Sequence, residues 1–100
     1  MTAAGSESAT LLVHCPDQPG IVVAITDFIF RNAGNILFLD QHVDREQQVF
    51  FLRVEWDLER FAIEAGDIGR EFTAQVAGRF GMRWQLYFSD EVPRMAVFVS

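Results

Sequence analysis

The residue pattern predicts one α+β domain of order β-α-β-β-α-β, a four-stranded antiparallel sheet in order 2-3-1-4 with two helices on one face. Three observations lead there. Two stretches step their apolar residues by three or four, the period of a helix with one buried stripe, and four others are β-rich, two of them with apolar and polar residues in alternation. The joints between them hold Pro, Gly and short polar runs. Right-handed crossovers then leave this strand order as the economical packing.

Residues 10–15 (TLLVHC) form the first strand, stopped by Pro16, and PDQPG supplies turn chemistry at once. Pro19 suits the first helical position, where its missing N–H costs nothing, and Asp17 or Gln18 is placed to cap. Ile21, Ala24, Ile25, Phe28 and Ile29 make the stripe of the first helix, with Gly34 as its expected left-handed end. Residues 35–43 and 49–56 read as a hairpin joined by the polar run 44–48. In its second strand Phe50, Leu52, Val54 and Trp56 share one face, and Phe51, Arg53 and Glu55 the other. Phe61, Ala65, Ile68, Phe72, Val76 and Phe80 mark a second helix, weakened by Gly66 and Gly69 and closed by Gly81. Met82, Trp84, Leu86 and Phe88 alternate with polar residues in a half-buried last strand.

The flanks read differently. Residues 1–9 are small and polar, with neither basic region nor apolar run, and are expected to be a disordered N-terminus. Residues 90–93 read as a linker. The run RMAVFVS at 94–100 resembles a strand buried on both faces, the first of a parallel sheet in a following domain.

Half of the 100 residues are hydrophobic and ten are Phe, a composition that supports a packed core. Net charge is −6, and all eight basic residues are Arg. Such a surface repels phosphate backbones and anionic lipid, so neither nucleic acid nor membrane is the expected partner. No run approaches the ~20 apolar residues of a membrane span. The single cysteine has no internal partner, and a reducing cytoplasm is the economical location.

The run CPDQPGIVVAITDFIFRNAGNI resembles the first strand, loop and helix of ACT domains, small ferredoxin-like modules that bind amino acids and control attached enzymes. DQHVD at 40–44, FFLRVEW at 50–56 and FGMRW at 80–84 are similar to the N-terminal domain of the formyltetrahydrofolate deformylase family, and RMAVFVS falls where that family's formyltransferase-like catalytic domain begins. The resemblance covers residue 10 to the end. The hairpin turn departs from it: Arg45 and Gln48 stand where the family often has Pro and Gly. The resemblance implies hydrolysis of 10-formyltetrahydrofolate to formate and tetrahydrofolate, feeding purine synthesis, by catalytic residues outside this sequence. It implies no cofactor and no catalytic or metal-binding residue here.

An effector site is expected at Cys15, Asp17, Gly20 and Ile21, completed by Asn35 of the same or a neighbouring subunit. Unpaired N–H groups at the helix start suit a carboxylate, Gly20 allows close approach, and Asp17 or Asn35 suits the ammonium group. The bland alternative is that these residues only shape a turn and cap a helix. These positions match effector contacts in ligand-binding ACT domains, and the family makes glycine or methionine the natural ligand. Asp40, His42 and Asp44 alternate along one strand, with His14 as the residue that would complete a cluster, but an ordinary polar face explains them better than a metal site. Cys15 reads as a small buried hydrophobe, not a nucleophile paired with His14. Val23 and Phe30, seven apart and off the helix stripe, read as a contact surface, and with the exposed edge of the second strand they favour a homodimer.

Overall fold

The computed structural model describes residues 7–89; the segments 1–6, 90–93 and 94–100 lie outside the described residues. The strands are β1 (Ser8–Pro16), β2 (Asn35–Asp44), β3 (Val49–Asp57) and β4 (Arg83–Phe88), and the sheet runs β2-β3-β1-β4 with every pairing antiparallel. The first helix, α1, is Ile21–Arg31. The second spans 65–80 as a 3₁₀ turn, an α-helical stretch, a π-helical stretch at Thr73–Ala77 and a last α-helical turn.

Both helices lie on one face of the sheet. There Leu11, Val13, Leu52, Val54 and Trp56 meet Ile25, Phe28 and Ile29 of α1 and Ile68, Phe72 and Val76 of the second helix in one core. Phe28 and Phe72 join the helices edge to face at 5.5 Å. Full burial of side chains this large stabilises the fold by about 1.5–3 kcal/mol each.

Several boundaries differ from expectation. β1 starts at Ser8, so Ser8 and Ala9 are not part of a disordered tail. Ala9 is 0% exposed between Trp56 and Phe88, and Ser89 Oγ and N–H both bond to the Ser8 backbone. Pro19 precedes α1 instead of opening it: Gly20 is the N-cap at φ 89°, and neither Asp17 nor Gln18 caps. At the other end of α1 the left-handed residue is Ala33 (φ 67°), not Gly34. Ala33 N–H donates to Phe30 O at 3.0 Å and Gly34 N–H to Ile29 O at 2.9 Å, the paired bonds of a Schellman end. Gly34 is required for a different reason: a Cβ there would sit 2.5 Å from Ile29 Cγ2.

Phe61 lies outside the second helix, which begins only at Ala65. Its ring packs on Trp56 at 5.5 Å, and the next N–H, on Ala62, donates to Asn32 O at 2.7 Å, so this segment is tied to the C-terminal end of α1. Gly69 lets the Trp84 ring approach to 2.6 Å from where a Cβ would be. Gly81 closes the second helix at φ 67°, as expected. The hairpin turn holds four residues, with Asp44 Oδ1 accepting the N–H groups of Glu46 and Gln47 at 3.1 Å each. Gln48 takes the left-handed conformation (φ 58°) that a glycine would adopt without strain.

Candidate functional site

The loop between β1 and α1 is held at both sides. Asp17 N–H donates to Gln48 O of the hairpin turn at 2.9 Å. Gln18 Nε2 donates to Pro16 O at 2.8 Å and to Phe80 O, at the end of the second helix, at 3.1 Å. Pro19 and Gly20 then turn the chain into α1. The first N–H groups of a helix have no intrahelical partner. Here no side chain caps them, the first turn carries no acidic residue, and a Cβ at Gly20 would meet nothing within 4 Å. The result is an open, rigidly mounted cradle of backbone donors at the positive end of a helix, suited to a carboxylate. Asp17 is exposed beside it.

The remaining expected residues divide. Cys15 and Ile21 are buried in the core, so they could meet a ligand only through the backbone. Burial pushes the Cys15 thiol up from its ordinary 9.0; the Asp17 charge adds to this and a hydrogen bond with Gln18 partly offsets it. It is a protonated core residue. Asn35 is exposed, but at the opposite end of the sheet from the loop. β1 and β2 both run antiparallel to β3 and are therefore parallel to each other. Pro16 lies opposite Val49, while Asn35 lies opposite Asp57. Eight residues of β3 separate those levels, roughly 27 Å at the usual strand rise. One copy of the chain therefore does not bring Asn35 to Asp17, and a site made within a single copy is excluded. The match to effector-contact positions suggested the pairing; strand direction forbids it within one copy and leaves only Asn35 of a neighbouring copy.

Val23 and Phe30 stand on the outer side of α1, 70% and 76% exposed. Asp40 and His42 do share a face, opposite Arg53 and Phe51 respectively, whereas the Asp44 carboxylate is committed to the turn. Among the described residues no group of three or more His, Cys, Asp and Glu side chains converges as a metal site would require. Sequence reasoning missed Arg83, which the register sets opposite His14, and Arg53, which it sets between Asp40 and Leu12 in the adjoining row of the helix-free face. Alternation placed Arg53 and Arg83 on solvent faces, but only the register gives their neighbours. No helix of the described residues is long and apolar enough to cross a membrane.

The family model for the ACT domain matches residues 9–71. Formyltetrahydrofolate deformylase of Synechocystis sp. is 46% identical over 93 residues, 93% of this chain and 32% of that protein. The Bacillus subtilis formyltetrahydrofolate deformylase is 41% identical over 95 residues, 94% of this chain and 31% of that protein. The crystal structure of a formyltetrahydrofolate deformylase from Pseudomonas syringae pv. tomato superposes with a TM-score of 0.82 at 27% identity, covering 90% of this chain and 30% of that one. The chain thus spans about a third of the length of the relatives it matches. It belongs to the ACT domain family, and it is similar to the N-terminal region of formyltetrahydrofolate deformylases.

Proposed function

We propose that this chain is the amino-acid-sensing module of a formyltetrahydrofolate deformylase, acting as a pair of copies. The carboxylate of glycine or methionine is held by the N–H groups at the start of α1, with Asp17 taking the ammonium group. Asn35 of the second copy closes the site. The observation that carries this reading is the uncapped helix start at Gly20, open to solvent and with no acidic residue in its first turn. The distance from Asp17 to Asn35 within one copy supports the requirement for two. The exposed Val23 and Phe30 on α1 and the edge strand β2 supply surfaces for the pairing. A ligand shared between copies biases their geometry, and such couplings are typically about 1–3 kcal/mol. Hydrolysis of the formyl group is assigned to the two-thirds of the relatives' length that this chain does not match.

Calorimetric titration with glycine and with methionine, alongside measurement of subunit mass, tests the reading. Binding of one of them that is lost in both Asp17→Ala and Asn35→Ala supports it. Silence with both ligands on a folded dimer overturns it in favour of a second reading, a purely structural dimerisation module that positions a catalytic domain. Val23 and Phe30 favour that second reading as much as the first.

A further inference from the structure

The face of the sheet away from the helices has a composition unlike the rest of the surface. Directly opposed residues on antiparallel neighbours share a face, and the register lays His42, Phe51, His14 and Arg83 in one row across all four strands. The adjoining row is Asp40, Arg53, Leu12 and Gln85. Phe51 lies between the two imidazoles, 5.9 Å from His14 and 5.8 Å from His42, with interplanar angles of 32° and 26°. It nonetheless stays 41% exposed on an inner strand, where a polar residue would be the ordinary choice. These two rows line a shallow cavity of about 540 Å³, within the size range of small-molecule sites.

The charges are equally specific. In a chain of net charge −6, this patch gathers two guanidinium groups, Arg53 and Arg83, and one carboxylate, Asp40. Among the described residues neither arginine forms an ion pair, although Asp40 is the cross-strand neighbour of Arg53; the Arg53 guanidinium sits instead over the Phe38 ring at 5.3 Å. Aromatic rings on the inner strands of an open four-stranded sheet are a known platform for stacking planar heterocycles. Cationic groups at the rim suit an anionic substituent, and a carboxylate accepts hydrogen bonds from a ring amino group.

We propose that the helix-free face binds a planar, amino-bearing heterocycle that carries an anionic group, lying across the exposed side of the Phe51 ring and its flanking imidazoles His14 and His42, with its anion on Arg83 and Arg53 and its amino edge on Asp40. This site is independent of the amino-acid cradle at Gly20. The same chemistry occurs in purine 5′-monophosphates. The acidic chain as a whole disfavours a long polyanion, so the ligand is a single small molecule.

The test is an NMR titration of the intact chain with AMP and GMP, adenosine serving as the uncharged control. Expected are shifts of the His14, His42 and Phe51 ring signals with at least one anionic probe, and weaker binding of adenosine. The probe that binds identifies the base. Phe51→Ala should weaken binding about tenfold or more, as loss of a stacking partner does; Arg83→Gln, at an exposed residue, should weaken it several-fold without affecting folding, and Asp17→Ala should leave it unchanged. Three results overturn the proposal: ring signals unmoved by millimolar probe, affinity unchanged in both Phe51→Ala and Arg83→Gln, or a single-stranded RNA that binds this face more tightly than any mononucleotide.

Discussion

Replacing Gly34 by alanine separates two explanations for the same glycine. If Gly34 were needed for a left-handed helix end, its backbone angle would decide the cost; the structure assigns that angle to Ala33 and gives Gly34 a steric role. A Cβ at Gly34 would lie 2.5 Å from Ile29 Cγ2, 3.0 Å from Ile29 O and 3.1 Å from Phe61 Cδ1. None of these can easily retreat. Ile29 is fully buried, and a β-branched residue in a helix has essentially one rotamer. Its carbonyl accepts the Gly34 N–H, and the Phe61 ring is backed by Trp56. Overpacking of this kind costs about 1–3 kcal/mol. The reduced entropy of the unfolded alanine chain returns about 0.4–1 kcal/mol. A net loss of about 1–2 kcal/mol lowers the melting temperature of a domain this size by roughly 5–15 °C. Thermal and urea unfolding followed by circular dichroism measure it. Gly66→Ala is the control, since a Cβ there meets nothing, and it should melt at or slightly above the parent temperature. Ala33→Gly should stabilise by up to about 1 kcal/mol, because it removes a Cβ from a left-handed residue. A Gly34→Ala protein melting within about 2 °C of the parent would refute the steric assignment.

Gln48→Gly should likewise stabilise, by up to about 1 kcal/mol, with a raised urea midpoint and unchanged slope. Cys15 should react with a disulfide reagent about tenfold or more slowly in the native chain than in urea, because a buried protonated thiol is a poor nucleophile. Its raised native pKa also sets a sign. The native state prefers the thiol, so this contribution is fully present below the ordinary value of 9.0 and is lost as pH rises through the native pKa. Urea midpoints taken between neutral and strongly alkaline pH should therefore fall more steeply for the parent than for Cys15→Ala, and parallel curves would contradict this. Phe30→Glu, at a residue 76% exposed, should leave the melting temperature of the monomer nearly unchanged while shifting sedimentation from dimer toward monomer. An unaltered dimer would remove α1 from the interface.

The helix stripes and strand alternation were legible because each depends on residues within a few positions of one another. Leu52, Val54 and Trp56 could be assigned to the core from period two alone, and Ile25, Phe28 and Ile29 from period 3.6. Gly81 was readable as a helix end for the same local reason. Ends were less secure where a distant partner decides them. β1 reaches back to Ser8 because Trp56 and Phe88 flank Ala9, and the second helix starts late because Ala62 spends its N–H on Asn32.

The candidate site divides along the same line. A helix start at the Pro-Gly turn was carried by consecutive residues, whereas its lack of a side-chain cap was not, because the structure turns Asp17 and Gln18 to the hairpin turn and the second helix instead. Whether Asn35 belongs to the cradle depends on strand direction across the sheet, and pairing both β1 and β2 antiparallel to β3 puts the two at opposite ends. The row of His42, Phe51, His14 and Arg83 is likewise drawn from four strands, and no local pattern predicts which residues face one another. By itself the sequence determined the elements, their order and the buried faces, because backbone periodicity and turn chemistry act over one or two turns of chain. Only the tertiary structure decided which functional groups share a site, because register and strand direction are set by packing between segments far apart in sequence.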